Sequence, residues 1–355
     1  MAGVGAGPAT DSLTVSVPQG RPGSPHNDAI IMSDILVIGG TSLLGRPLVE
    51  DLIARGDRVT VIHRSPGTPF GNRVEELLAD RNDGEAVRVA AGDRRFDVVF
   101  DNVYDWQRGT TPRQVLETVD ALMHNDLKRY VFVSSVAVYP EGGPFDEDAE
   151  LRSSFDPNVY GVHKAETERA LFARARADGL PVSTTRPAFV YGPHNPFPRE
   201  SFFLDRLIAG RPIIVPEDGE RTMQCVHASD VADASLRAAS RESVGGEAYN
   251  LAGAPVTQNE FVHILADVVG VEPELVHVPR DRITAGGGQV MQPPLYFGAY
   301  LDIPPITALG ERTRDVLGME LRSLEDGMRE TFEWYRVQSR PRPDTSWEDE
   351  LIASL

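Results

Sequence analysis

From Asp34 to about Pro187, short apolar runs alternate with amphipathic stretches. "DILVIGG" carries Ile35, Leu36, Val37 and Ile38 without a break, the pattern of a strand buried on both faces, and stops at Gly39-Gly40. In "SLLGRPLVEDLIARG" Leu44, Leu48, Leu52 and Ile53 recur on one helical face, and Gly56 marks its end. "RVTVIHR" predicts the next strand, and "VEELLAD" a third that ends at Asp80. "GEAVRVAAG" predicts a short helix and "FDVVFD" a fourth strand ending at Asp101. "TPRQVLETVDALMHND" predicts a helix with Val115, Val119 and Leu122 inward, and "RYVFVSSVAVYP" a fifth strand running into Ser134 and Ser135. "PVSTTRPAFVYGP" predicts a sixth strand and its exit loop. Strands separated by helices predict an α/β fold with a doubly wound parallel sheet.

Beyond that point the alternation weakens. "SFFLDRLIAG" predicts a helix, "RPIIVPEDGERTMQ" a hairpin-like stretch, and "EAYNLAG" a strand returning to the main sheet. "VTQNEFVHILADVVG" predicts an amphipathic helix opened by a threonine cap, and "PELVHVP" another strand. The expected organisation is a Rossmann-type nucleotide-binding domain over 33–192. A smaller, mainly substrate-binding C-terminal lobe is expected over 193–355, with segments near 224–252 returning to the first domain. Residues 1–32, rich in Gly, Pro, Ala and Ser and without either period, predict a disordered tail. That stretch has neither the basic start nor the apolar core of a secretory signal.

Charge narrows the partners. The 355 residues carry a net charge of −18, which repels phosphate backbones and argues against nucleic acid. No basic patch suits anionic lipid, and no run is apolar for long enough to span a bilayer, so cytoplasmic residence is expected. Cys225 is the only cysteine, and the eight histidines are scattered without a metal-ligand spacing, so no metal is expected. A small-molecule substrate is the expected partner, and a homodimer the assembly left open.

The turn "GGTSLLG" has glycines at 39 and 45 at the first strand–helix junction. The first permits the tight turn, the last permits close packing of helix on strand, and the helix N-terminus offers N–H groups to a pyrophosphate. Thr41, Ser42, Leu43 and Leu44 lie between them, with Ser42 where the usual middle glycine would stand. The alternative is a loop that only turns the chain. The second strand ends in His63 and Arg64 instead of the acid that usually holds the adenosine ribose, which favours NADP over NAD. Ligands of open α/β sheets bind beyond the carboxyl ends of the strands. Asp80, Asp101, Asn102, Ser134 and Ser135 all fall there, and Asp80 and Arg81 are candidate cofactor contacts. "DPNVYGVHKAETE" puts Tyr160 and Lys164 four apart on one helix face, a spacing common enough to mean nothing alone.

Taken in order, the glycine turn, Ser135, "YGVHK", "RPAFVYGP", "VHASDVADA" and the late "VLGMELRSLEDGMRETFEWY" resemble an extended short-chain dehydrogenase/reductase of the NAD-dependent epimerase/dehydratase group. The resemblance covers Asp34 to about Tyr335. It implies Tyr160 as general acid/base, Lys164 as its partner and a holder of the nicotinamide ribose, and Ser135 as the hydroxyl that positions the reacting oxygen. It also implies Pro187 and Gly192 on the nicotinamide side. The chemistry is consistent: a phenol titrates near 10, and a nearby ammonium favours its ionised form. The GGTxxxG turn and "FDVVFDNV" resemble a branch that includes the chloroplast stem-loop-binding proteins, so RNA binding is the alternative function.

Two departures bear on the substrate. Nucleotide-sugar epimerases usually carry an arginine four residues before the histidine matching His227; Met223 stands there, with Gln224 next and Arg221 slightly earlier. Sugar-nucleotide 4,6-dehydratases place Asp-Glu after the Ser/Thr; Val136-Ala137 stand there. Both favour alcohol/ketone redox or epimerisation over water elimination. Arg221 and Gln224 are substrate-contact candidates, His194 and Arg199 are substrate-contact candidates or solvated loop residues, and Asp101 binds a hydroxylated substrate or caps the next helix.

Overall fold

The computed structural model describes residues 33–124, 127–241, 245–289, 302–340 and 342–355. The tail expected at 1–32 lies outside the described residues. The first half of the chain runs β1 (Asp34–Ile38), α1 (Gly45–Arg55), β2 (Arg58–His63), β3 (Glu75–Leu78), α2 (Gly84–Ala91), β4 (Val98–Asp101), α3 (Pro112–Leu122), β5 (Arg129–Val133), β6 (Gly142–Phe145), α4 (Val159–Asp178) and β7 (Val182–Pro187). There follow β8 (Phe189–Tyr191), α5 (Glu200–Ile208), β9 (Ile213–Pro216), β10 (Thr222–Met223), β11 (Cys225–His227), α6 (Ala228–Ser240) and β12 (Glu247–Leu251). The last are β13 (Val256–Thr257), α7 (Gln258–Val269), β14 (Leu275–Val278), α8 (Arg280–Ala285), β15 (Ile306–Ala308), α9 (Glu311–Leu317), α10 (Leu324–Tyr335) and α11 (Ser346–Ala353).

Seven strands form one parallel sheet in the order β12-β7-β5-β4-β1-β2-β3. Strand order reverses between β1 and β4, the switch point at which such sheets open a crevice. Alternation along β1 builds a core on each face. Leu36 and Ile38 pack with Val87, Val115, Val119 and Leu171 from α2, α3 and α4. Ile35 and Val37 pack with Leu48, Val49 and Leu52 of α1 and Ala232 of α6. Side chains end the helices cleanly: Thr111 and Thr257 each form a reciprocal capping box, and Asn158 accepts from the Gly161 N–H at the start of α4.

A third core lies outside the sheet, where Phe202, Phe203 and Leu207 of α5 meet Phe261 and Leu265 of α7, Met328 of α10 and Leu351 of α11. The stretch expected to be hairpin-like is not a hairpin. β9 pairs in parallel with β14, and β10 pairs antiparallel with β13. Ile213, Ile214 and Val215 are all buried, so this run seeks apolar cover on both faces, as parallel strands do. α1 also starts later than the periodicity suggests, at Gly45, because residues 39–44 form the turn itself.

Arg186, at the end of β7, is wholly buried against Glu168 of α4, donating from Nε to both carboxylate oxygens at 3.0 and 3.1 Å. It also donates to the Tyr139 hydroxyl at 2.6 Å and the Glu147 carbonyl at 3.0 Å. Glu168→Ala leaves this guanidinium buried and uncompensated, so it is expected to cost about 3–5 kcal/mol, read from urea unfolding. Replacing both partners by Met and Leu is expected to recover much of that loss. A cost below about 1 kcal/mol for the single change would show that water takes the carboxylate's place.

Candidate active site

A cavity of about 630 Å³ opens at the carboxyl ends of β1, β4 and β5. Its floor is the glycine turn. Gly39 has φ +81, a left-handed conformation costly to any side chain, and a Cβ there would run into Val103. A Cβ on Gly45 would collide with the Gly39 backbone, so helix and strand meet at a distance only glycine allows. No side chain caps α1 at Leu44; the Arg46 N–H donates to the Ser42 carbonyl at 2.8 Å and Pro47 has no N–H, so Gly45 carries the first-turn N–H left at the turn. These features fit a dinucleotide's pyrophosphate.

Gly39, Ser42, Leu43, Leu44, Arg64, Ser135, Tyr160, Lys164, Pro187, Arg199 and Gln224 line the cavity, so most candidates meet there. The Ser135 Oγ accepts from the Ala137 N–H at 3.1 Å and lies 3.5 Å from the Pro187 carbonyl. Tyr160 and Lys164 sit on the first turns of α4. The Lys164 Nζ donates to the Val133 carbonyl at 2.7 Å, lies 4.5 Å from the Phe132 ring centroid, and is 6.0 Å from that of Tyr160. Burial pushes this ammonium down from 10.5 to about 7, with Asp101 pulling it up and Arg81 opposing.

Other candidates stand elsewhere. Arg81, expected at the cofactor, turns into the core, where it ion-pairs with Asp101 and donates to the Gln114 carbonyl at 3.2 Å. Asp101, expected at the substrate or as a cap, is fully buried in that pair and accepts from the Tyr130 hydroxyl at 2.7 Å. Two opposite charges brought together in the core neutralise each other more cheaply than either can be buried alone. His63 faces β3, its Nε2 2.6 Å from Glu76. Asp80 pairs with Arg108 at 2.5 Å. Thr41 and Gly45 belong to the turn but not to the cavity wall. His194 turns to Arg46 at 3.4 Å and packs on Trp334. Arg221 is tied to Asp302. Gln224 reaches the wall, but its amide is spent on the Gly253 carbonyl and on the carbonyl and N–H of Ala308.

Arg64 pairs with Asp105 at 3.0 Å, and Asp105 also holds Arg108 at 2.6 Å. Burial pushes the Asp105 carboxyl up. The backbone N–H groups of Arg108 and Gln107 and the Arg108 guanidinium outweigh this and hold it down to about 2. The sequence reading missed Tyr104 and Trp106, in the loop after β4, and Phe197. The Tyr160 ring stacks on Trp106 at 4.7 Å and meets Tyr104 edge-on at 4.8 Å. The signal was present in "NVYDW", two aromatics just past a strand's carboxyl end. Among the described residues there is no cluster of three or more His, Cys, Asp or Glu able to hold a metal ion. Nor is any described helix long and apolar enough to cross a membrane.

Residues 35–252 match the model of the NAD dependent epimerase/dehydratase family. The chain is 32% identical over 259 residues to the chloroplast stem-loop binding protein of 41 kDa b of Arabidopsis thaliana, covering 68% of this chain and 65% of that protein. It is 28% identical over 219 residues to a trifunctional UDP-glucose 4,6-dehydratase/UDP-4-keto-6-deoxy-D-glucose 3,5-epimerase/UDP-4-keto-L-rhamnose-reductase of Arabidopsis thaliana, covering 59% of this chain and 29% of that protein. The chain thus spans less than two thirds of either relative. The solved structure of MoeE5 in complex with UDP-glucose and NAD matches with a TM-score of 0.66 at 27% identity, over 85% of this chain and 98% of that one.

The lysine's environment has a consequence for stability. Below about pH 7 the folded chain buries the Lys164 ammonium, and that cost is fully present. As pH rises from about 7 toward 10.5, the folded chain releases this proton before the unfolded chain does, so stability recovers. Lys164→Met is therefore expected to be more stable than the parent at pH 6, by a margin that narrows toward pH 10. Urea midpoints of both proteins across that range check it; a margin independent of pH would mean that Lys164 stays charged in the fold.

Proposed function

The chain belongs to the NAD dependent epimerase/dehydratase family, a family of enzymes, and from that premise we propose that it is a nicotinamide-dependent oxidoreductase or epimerase. It acts on an alcohol or ketone of a sugar-like or other small-molecule substrate. The observation that carries the reading is the meeting of the glycine turn with Ser135, Tyr160 and Lys164 in one cavity. A bound nicotinamide supplies or accepts the hydride. Tyr160 gives or takes the proton on the reacting oxygen, and the Ser135 hydroxyl orients that oxygen. Lys164 supports the phenol electrically and reaches the nicotinamide ribose. The glycine turn and the first turn of α1 hold the pyrophosphate. Residues 33–192 serve the cofactor and 193–355 mainly the substrate, with 224–252 rejoining the first part.

The preference for NADP expected from Arg64 finds no support in the comparisons, where NAD is the cofactor named. The ion pairs bear on the same point. Arg64 and Arg108 are matched by Asp105 and Asp80, so the cluster offers no net positive charge to a 2′-phosphate. NAD(H) is therefore proposed to bind at least as well as NADP(H). The identity to a stem-loop binding protein favours a second reading, an RNA-binding protein on the same fold. The net charge of −18 opposes it.

Fluorescence titration separates these readings. NADH or NADPH is expected to bind; failure of both, with salt-dependent binding of an RNA stem-loop, would establish the second. Arg64→Ala is expected to change NADH and NADPH affinity by the same factor, and a loss of about tenfold confined to NADPH would restore the phosphate-reading arginine. Once a substrate is in hand, Tyr160→Phe is expected to lower turnover by about 10²-fold or more with cofactor affinity little changed. Wild-type turnover in that variant would remove Tyr160 from the mechanism.

A further inference from the structure

We infer that the cavity selects an alcohol or ketone carried on a flat, apolar ring system and rejects a nucleoside diphosphate sugar. This rests on the oxidoreductase reading and narrows its substrate. Trp106 is 56% exposed although it stands in the cavity wall. Its ring is fixed by its neighbours. It stacks on Tyr160 at 4.7 Å and 29°, and meets Tyr104 edge-on at 5.1 Å and Phe197 edge-on at 6.3 Å. Tyr104 is itself anchored, its hydroxyl 3.1 Å from the His163 Nδ1. A large indole, held rigid but left half bare inside a cleft and in contact with the proposed acid/base, is a surface for stacking another ring. An ordered aromatic loses little freedom when it binds, which favours it as a recognition element.

The remainder of the wall agrees. Met223, Ile303, Pro304 and Ile306 close the cavity with apolar surface. Most of the nearby guanidinium groups are already matched by carboxylates. Arg221 and Arg280 converge on Asp302, which adjoins this wall, and Arg280 also lies 3.4 Å from Glu217. Arg199, which lines the cavity, donates to the Val190 carbonyl at 3.2 Å and lies 5.2 Å from the Phe197 ring centroid. The Gln224 amide is fully engaged. A diphosphate taken into such a wall loses its water and meets one guanidinium, Arg199, where two negative phosphates need more, and the acidic chain adds repulsion. An apolar ring loses nothing comparable and covers Trp106.

The test is calorimetric titration of the full chain, saturated with NAD, using 1-tetralone and UDP-glucose as probes. 1-Tetralone is expected to bind at least about tenfold more tightly than UDP-glucose. Trp106→Ala is expected to weaken 1-tetralone about tenfold, and Trp106→Phe to restore most of the loss, with NADH affinity in both variants serving as the check on folding. Tighter binding of UDP-glucose, no binding of 1-tetralone, or an unchanged 1-tetralone affinity in Trp106→Ala would overturn the inference while cofactor binding left the oxidoreductase reading standing. Failure of NADH and NADPH to bind the parent protein would overturn both.

Discussion

The buried guanidinium of Arg186 sets where Tyr160 and Lys164 can be. It leaves the end of β7 and holds Glu168, two turns along α4 from Tyr160. Through the Tyr139 hydroxyl it also reaches Asn250 of β12, the strand that returns from late in the chain. A charge removed from water must be paired and saturated with hydrogen bonds, and few arrangements do both. Satisfying this one fixes α4 against the sheet in rotation and in height. Lys164 then lies under the end of β5, with its ammonium on the Val133 carbonyl, and Tyr160 rises one turn nearer the cavity. The sheet supplies the platform; this ion pair sets the register of the helix upon it.

A second buried pair, Arg81 with Asp101, acts at longer range. Neither touches the cavity wall, yet both act electrically on Lys164, in opposite senses. Their opposition leaves burial as the dominant influence, and the ammonium is held to about 7. A lysine poised there changes its charge near neutrality, so the proposed support for the Tyr160 phenol depends on pH through Lys164 as well as through the phenol. Ligand charge near Lys164 would shift that balance in turn.

The parts legible in the sequence were those fixed by local rules. Strands buried on both faces announced themselves as unbroken apolar runs, and "GGTSLLG" announced a turn only glycine can make at its two ends. Tyr160 and Lys164 shared a helix face by spacing alone. What escaped was decided by partners distant in sequence. Arg81 and Asp101 each read as strand-end residues facing a ligand; in the fold Arg81 turns inward to the Gln114 carbonyl of α3 and there meets Asp101. Arg221 and Gln224 read as substrate contacts, but Asp302 and Ala308, some eighty residues on, claim them. The hairpin expectation failed for the same reason, since the partner of β9 is β14, beyond α7.

This difference has a functional side. The proposed cofactor half of the cavity is built from backbone: a left-handed glycine, a helix start without a side-chain cap and strand ends whose positions follow from parallel pairing. Backbone geometry tolerates few solutions, which is why a family match over 35–252 speaks to this half. The other half is built from side chains on loops and late segments: Trp106, Phe197, Met223 and the stretch from Ile303 to Ile306. Ile303 to Ile306 lie beyond the family match, and Trp106 and Phe197 lie within it but in loops that carry little structural constraint. On the proposed reading substrate choice is set there, so relatives that share the cofactor half need not share a substrate. The proposed substrate preference therefore rests on the exposed indole of Trp106 and the paired Arg64, Arg221 and Arg280, side chains that a fold-level likeness does not fix.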